Sequence, residues 1–282
     1  MKSDGEYTYR TPDIAYHRDK LERGFDWLID TWGPDHHAEI ANRAAALKAL
    51  GFNLLPRAEF LKARRGGTPE SRSRCFEVLT LQHCRLLRGG QEVKMGKRSG
   101  NIVTLRELME EVGVDATRWF LTMRKTDSHL DFDLDVAKKQ SLDNPVYYAQ
   151  YAHARVCSIN AQGVAKGLLD PKELADGVFA GTFETKHIGP EEVVLLRTVR
   201  RWPRTVESAA HALDPALLCM YLTDVSSALQ TYYQKAANRV LAEDEGVRRA
   251  RLAVCSAVQL TLRSGFRLLG VSAPERLESA PS

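Results

Sequence analysis

The sequence has no apolar run near the roughly 20 residues that a membrane-crossing helix requires, so no span is expected. Its first ten residues, MKSDGEYTYR, are polar and lack the apolar core of a secretory signal. Cysteine is scarce. The five are Cys75, Cys84, Cys157, Cys219 and Cys255, widely separated, odd in number and without a C-x-x-C pair. A disulfide framework and a zinc knuckle are therefore not signalled, and a reducing cytoplasm is the expected location. Neither sign of charge dominates, with 40 Lys+Arg against 36 Asp+Glu. No internal repeat is visible.

What is present is an ordinary globular composition: 282 residues, 44% hydrophobic, 27% charged. That length allows one large domain or two ordinary ones with a real core. The formal charge of +4 is local. Between Arg57 and Arg74, six cations (Arg57, Lys62, Arg64, Arg65, Arg72, Arg74) face only Glu59 and Glu70, which accounts for the whole excess. With Gly66, Gly67, Pro69, Ser71 and Ser73 among them, the segment reads as an exposed basic loop.

The first hundred residues read as mixed α/β. Tyr7–Tyr9 and Trp27–Ile29 are short β-prone runs, and CFEVLTLQH is another. After WGPD, Asp35 is placed to cap a helix whose face carries Ile40, Ala44, Leu47 and Leu50, with Gly51 closing it. Arg88-Gly89-Gly90-Gln91 is a tight turn. Thr104 and Glu107 form a capping box, Gly113 ends that helix, and Asp115 is placed to cap the next. Beyond Asn144-Pro145 nearly everything is helical, with starts at Pro190 and at Asp214-Pro215. The last helix runs from Gly246 to Leu269, with Leu252, Val258, Leu262 and Leu269 on one face. The expected organisation is mixed α/β over residues 1-143 and a helical bundle over 144-282.

The most informative stretch is Lys94-Met95-Gly96-Lys97-Arg98-Ser99-Gly100-Asn101. Two lysines bracketed by glycines suit a cluster of phosphates, because each ammonium is a compact charge that can follow a moving phosphoryl group. In nucleotidyl transfer such lysines act electrostatically, on charge that gathers in the transition state. Taken alone, the stretch reads first as a solvated basic turn.

In context the stretch resembles the KMSKS signature of class I aminoacyl-tRNA synthetases, in the form found in arginyl-tRNA synthetases. The resemblance continues through YTYRTPDIAYHRDKLERGFDWLIDTWGPDHHAEI, through GNIVTLREL, and through DSHLDFDLDVAKKQSLDNPVYYAQYAHARVCSI to LLGVSAPERL. It lapses over about residues 53-75. It implies the second half of a Rossmann-like catalytic domain, the lysine loop at 94-98, and a DALR-type helical anticodon-binding domain.

The resemblance assigns roles by position. Tyr9 and Asp13 match the pair that receives the arginine substrate; a carboxylate takes paired N–H bonds from a guanidinium. Gly33, Asp35, His36 and His37 match a G-x-D-H-H segment beside the ATP, where an open parallel sheet offers its crevice. Met95 joins them, and Lys94 and Lys97 are the catalytic lysines. Gln82 and Arg85 lead into that loop and position it. Gly96 stands where the family has Ser, which removes a hydroxyl and adds backbone freedom. Tyr232, Tyr233, Asn238 and Arg239 match a tRNA-reading segment, since unpaired bases are stacked on aromatics and read at their edges. Arg197, Arg200, Arg201 and Arg204 could touch phosphates or form a solvated face.

The implied reaction is ATP-dependent activation of arginine, with Mg2+, and its transfer to tRNA(Arg), without a tightly bound cofactor or a metal site. The adjacent His36 and His37 point different ways and no third ligand follows. The family's HIGH-type signature is absent; His187-Ile188-Gly189-Pro190 lies far along the chain from its place and reads as coincidence. An incomplete ligase is therefore expected. The alternatives are a non-catalytic tRNA-binding module, or one half of a split enzyme whose separate N-terminal half carries the missing motif.

Overall fold

A computed structural model of the chain describes residues 5, 10–65, 73–93 and 103–277. Two compact units divide the chain. The first comprises residues 1–83 with 126–129, and the second residues 84–125 with 130–282.

In the first unit, helix α1 (Arg10–Glu22) precedes strand β1 (Trp27–Trp32). Helices α2 (Glu39–Ala49) and α3 (Arg57–Arg65) follow, then strand β2 (Cys75–Thr80). β1 and β2 are parallel and in register from Trp27 opposite Cys75 to Trp32 opposite Thr80. Leu21, Leu28, Leu47 and Leu54 form the core, with Phe52 and Phe76 against it. Alternation along β1 puts Leu28, Asp30 and Trp32 on one face and leaves Ile29 exposed. Of the face predicted for α2, Leu47 is fully buried, whereas Leu50 lies past the end of the helix and is exposed.

Two expectations fail in this unit. Asp35 does not cap α2. It lies in a 3-10 turn over Pro34–His36, and the helix starts after Ala38 with no side-chain cap. The basic segment is also not a loop throughout, because Arg57–Arg65 is helical. One buried aromatic anchors it: Phe60, 1% exposed, meets Trp27 edge-on at 6.0 Å. Its charge is drained by neighbours outside the segment, Arg57 pairing with Glu77 and Arg74 with Asp26. Residues 66–72 and the Tyr7–Tyr9 run lie outside the described residues.

The second unit opens with a small sheet. Strand β3 (Cys84–Arg88) turns through Gly89-Gly90, both at positive φ, into β4 (Gln91–Glu92). Helices α4 (Leu105–Val112) and α5 (Val114–Thr122) follow, then β5 (Leu130–Asp133), parallel to β3. The capping box of Thr104 and Glu107 forms as expected. After α6 (Leu134–Lys138) comes α7 (Pro145–Ala165), the first long helix of a bundle. Asn144 earns its place before it, accepting from Val146 N while its amide donates to the carbonyls of Ala137 and Lys139. A short hairpin, β6 (Leu174–Ala175) and β7 (Val178–Phe179), leads to α8 (Pro190–Val199), α9 (Trp202–Ala212), α10 (Ala216–Gln234) and α11 (Glu245–Leu269).

The face predicted for α11 is buried: Leu252, Val258, Leu262 and Leu269 are each at most 3% exposed. Gly265 lets α11 approach α10 closely, since a Cβ there would lie 2.4 Å from Leu222 Cδ2. His187-Ile188-Gly189-Pro190 is structural. Gly189 precedes α8, and the His187 ring fills the space beside Gly246. Asp115 is no helix cap; α5 begins after Gly113, and the Asp115 carboxylate is bonded to Ser272 instead. Leu86, Leu108, Trp119 and Phe132, from before Asn144, share one core with the bundle residues Val156, Leu222 and Phe266. Packing therefore parts the chain after His83, whereas helical character begins at Pro145.

Candidate functional site

In the first unit, chemistry collects at the carboxyl end of β1. The strand stops at Trp32, and Gly33, Asp35, His36 and His37 form the exposed turn beyond it. Beside this turn is a cavity of about 220 Å3 lined by Asp13, Trp32, His36, Glu39 and Arg43. Asp13 comes from the first turn of α1, and Arg43 from the inner face of α2. The Arg43 guanidinium, 5% exposed, pairs with Asp13 Oδ2 and lies over the Trp32 ring at 5.6 Å. Glu39 pairs with Arg10.

His17, one turn after Asp13, ties this corner to the sheet. Its Nδ1 is 2.7 Å from the Asp13 carbonyl oxygen, and its Nε2 is 2.6 Å from Asp30 Oδ2 on β1. Burial alone would raise the Asp30 carboxyl pKa. The hydrogen bond and charge of His17, with those of Lys20, outweigh burial and hold it below the ordinary value. The imidazole ring thus fixes the turn of helix that presents Asp13.

In the second unit, a cavity of about 410 Å3 lies against α7, lined in part by Tyr151, Arg155, Gln162, Tyr233, Glu275 and Leu277. Arg155 is its centre. The guanidinium carbon is 3.9 Å from the Tyr233 ring centroid and 5.5 Å from that of Tyr151, and Nη1 donates to the Tyr151 hydroxyl at 3.2 Å. A guanidinium held over a tyrosine ring can offer a stacking face and N–H edges together.

One wall of that cavity is the segment after α11. Gln150 Nε2 donates to the Ser272 carbonyl at 3.1 Å and to Asp115 Oδ2 at 2.7 Å. Asp115 Oδ1 accepts from Ser272 N at 3.0 Å. His153 Nδ1 donates to the Pro274 carbonyl at 3.0 Å, while its buried Nε2 has no hydrogen-bond partner among the described residues. Burial, reinforced by the charge of Arg263, pushes the His153 pKa below its ordinary value against the opposing pull of the Pro274 carbonyl and Glu275.

A pH prediction follows from that neutral ring. The unfolded chain takes up a proton as pH falls through about 6.5, whereas folded His153 resists until lower pH. Stability is thus full above 6.5 and declines below it until the folded ring also titrates. Calorimetry between pH 7.5 and 5 is expected to show a steeper fall for the wild-type chain than for His153→Gln. Parallel pH profiles would remove this account.

The DALR anticodon binding domain family matches residues 149–277, which contain the Arg155 cavity. Over 279 residues the chain is 46% identical to the arginine–tRNA ligase of Bacillus subtilis strain 168, covering 98% of this chain and 45% of that protein. The chain is homologous to the arginine–tRNA ligases. It is likewise 44% identical to the Moorella thermoacetica arginine–tRNA ligase over 277 residues, with the same shares covered. The arginyl-tRNA synthetase structure from Thermus thermophilus has the same fold, with a TM-score of 0.73 at 20% identity, covering 98% of this chain and 50% of that one. The chain therefore spans about half the length of the relatives it matches, and it corresponds to their C-terminal part.

Within the homologue, the structure brings Asp13 and His36 to one cavity and sets Gly33, Asp35 and His37 on the turn beside it. Tyr9, Lys94, Met95, Gly96 and Lys97 lie outside the described residues. Gln82 is bonded through its backbone to Thr126, and Arg85 forks onto Asp131 at 2.7 and 2.9 Å. Among the described residues no cluster of three or more His, Cys, Asp or Glu could hold a metal ion. No described helix is long and apolar enough to cross a membrane.

The RNA-facing expectation divides. Tyr232 and Asn238 are interior, 3% and 4% exposed. The Tyr232 hydroxyl donates to Glu192 Oε1 at 2.6 Å and Asn238 donates to the Tyr232 carbonyl, so neither side chain can stack on a base without opening the bundle. Tyr233 does line the cavity, and Arg239 is exposed. Sequence reasoning missed Tyr151 and Arg155. Their i, i+4 spacing in AQYAHARV was the available signal.

Proposed function

We propose that this chain is the ATP-, arginine- and tRNA-handling C-terminal part of an arginine–tRNA ligase acting in the cytoplasm. Residues 1-143 supply the second half of the nucleotide-binding catalytic fold, and residues 144-282 the anticodon-binding part. The observation that carries the reading is the Arg155 cavity inside the segment matched by the anticodon-binding family. A stacked guanidinium between tyrosines suits an unpaired base of tRNA(Arg) better than it suits a small metabolite.

In the first unit, the turn of Gly33, Asp35, His36 and His37 would lie beside ATP, and Tyr9 and Asp13 would receive the arginine side chain. Arginine's carboxylate attacks the α-phosphate of ATP with release of pyrophosphate, and a hydroxyl of the tRNA's terminal ribose then takes the arginyl group from the resulting adenylate with release of AMP. Lys97 and Lys94 would stabilise charge on the phosphates, with Met95 against the nucleotide. Mg2+ would accompany ATP as part of the substrate.

The chain covers 45% of its relatives, so the adenylation step calls on the remaining part, on the same polypeptide or as a separate N-terminal half. Arginine-dependent ATP–pyrophosphate exchange is expected when this chain is combined with a half carrying the HIGH-type motif, and its loss on Lys97→Ala. Exchange by the 282 residues alone, abolished by Lys97→Ala, would overturn the need for that half. A second reading, a tRNA-binding module without catalysis, is favoured by one observation: Arg43 already sits on Asp13. Selective binding of tRNA(Arg) with no exchange in any combination would establish it.

A further inference from the structure

The corner that holds Asp13 already contains a guanidinium, and it is the chain's own. Arg43 reaches inward from α2 with its side chain 5% exposed, shelved on the Trp32 ring and paired with Asp13 Oδ2. The other carboxylate oxygen, Oδ1, lies 3.5 Å from His17 Nδ1. The second carboxylate of the cavity, Glu39, is paired with Arg10, whose side chain is 48% exposed.

A free guanidinium is recognised best by a carboxylate that can accept two N–H bonds in one plane. Asp13 cannot offer both oxygens while Arg43 holds one of them. A second guanidinium on the same carboxylate would also place two cations side by side in a partly buried site. Nor can Arg43 give up Asp13 lightly, because breaking a buried ion pair from one side is strongly penalised. Arg10 differs, because solvent already reaches about half of its side chain.

Resting on the reading of Asp13 as the guanidinium acceptor, we propose that Arg43 is the resident guanidinium of this site, holding the place that the side chain of free arginine would take. The occupied state is the majority state. Arginine then binds only to the fraction in which Arg43 has swung away, and its apparent dissociation constant rises by the inverse of that fraction. Arg43 thus sets whether, and how strongly, the site takes its ligand. Methionine in its place keeps an unbranched chain over Trp32 while removing the head group.

The test is titration calorimetry of L-arginine into the full chain, with L-lysine as the control for guanidinium recognition. Arg43→Met is expected to bind L-arginine at least tenfold more tightly than wild type, and the gain is expected to vanish in the Arg43→Met, Asp13→Asn double variant. Arg43→Lys keeps the stem and charge but not the fork, and a gain of severalfold is expected from it. It serves also where Arg43→Met does not fold. If wild type binds as well as both Arg43 variants, and Asp13→Asn abolishes that binding, the occupant is refuted while the acceptor stands. If Asp13→Asn changes nothing in any background, the acceptor is wrong and the occupant falls with it.

Discussion

Arg251→Met is expected to destabilise the helical unit by about 3 kcal/mol, the cost of breaking a buried ion pair from one side. Glu192, in the first turn of α8, is 4% exposed on its side chain, and Arg251 Nε donates to its Oε1 at 2.9 Å. The same oxygen accepts from the Tyr232 hydroxyl, and Oε2 accepts from Gly189 N at 3.0 Å. Burial alone would raise the Glu192 carboxyl pKa. The bonds from Tyr232, the backbone and Arg251 overcome this and hold it below the ordinary value. Methionine fills the volume of arginine yet takes the cation away from a carboxylate that then keeps, among the described residues, the Tyr232 hydroxyl and backbone amides as donors. Arg251 also donates to the Arg239 carbonyl at 2.9 Å, a bond that methionine cannot make.

The effect reaches the cavity because Tyr232 is adjacent to Tyr233 on α10. Urea or thermal unfolding of the variant would measure the loss, and a change below about 1 kcal/mol would show that the pair contributes little beyond its hydrophobic equivalent. The pH dependence has a definite sign. A carboxyl with a lowered folded pKa stabilises above its unfolded value near 4.5, and that contribution disappears as pH falls through the folded value. Wild type and Arg251→Met should therefore converge in stability as pH drops below 4.5.

Arg155→Ala is expected to weaken tRNA(Arg) binding by about 1–3 kcal/mol, on the order of 5- to 150-fold in Kd. Arg155 lies 3.9 Å above Tyr233, is bonded to Tyr151 and reaches Gln230 Oε1 at 3.4 Å, so its plane is set before any base arrives. Alanine would remove the stacking plane and leave two tyrosines facing a void. A filter-binding salt series separates this from simple charge loss. A pure phosphate contact would lower the slope of log K against log salt by about one. Loss of a stacking platform would lower affinity at every salt concentration and change that slope little. Tyr233→Ala should reproduce much of the effect, and the two should not add, because each is the other's support. Unchanged binding in both variants would take the base out of this cavity.

The sequence reading succeeded where the deciding contacts are local. Asn144-Pro145, the capping box at Thr104 and the buried face of α11 depend on neighbours a few residues away. It failed where the deciding partner is distant. Asp115 looks like a cap from its neighbours, but its carboxylate is claimed by Ser272, 157 positions later. Arg57–Arg65 looks like a loop by composition, yet one buried Phe60 and partners at Asp26 and Glu77 make it a helix. Tyr232 and Tyr233 are indistinguishable in the sequence. Helical rotation sends one to Glu192 and the other to Arg155. In the first unit, the resemblance singles out Asp13 but gives no sign of its pairing with Arg43, because the two are joined only when α2 folds back beside α1.

The wall of the Arg155 cavity has a consequence for the order in which the protein comes into being. Gln150 is bonded to Ser272, 122 positions later, and Glu275 and Leu277 line the cavity beside α7. During synthesis at about 5–20 residues per second, α7 leaves the ribosome several seconds before those residues exist. Throughout that interval Tyr151 and Arg155 face water with no opposing wall, so this cavity cannot close until the segment through Leu277 has left the ribosome.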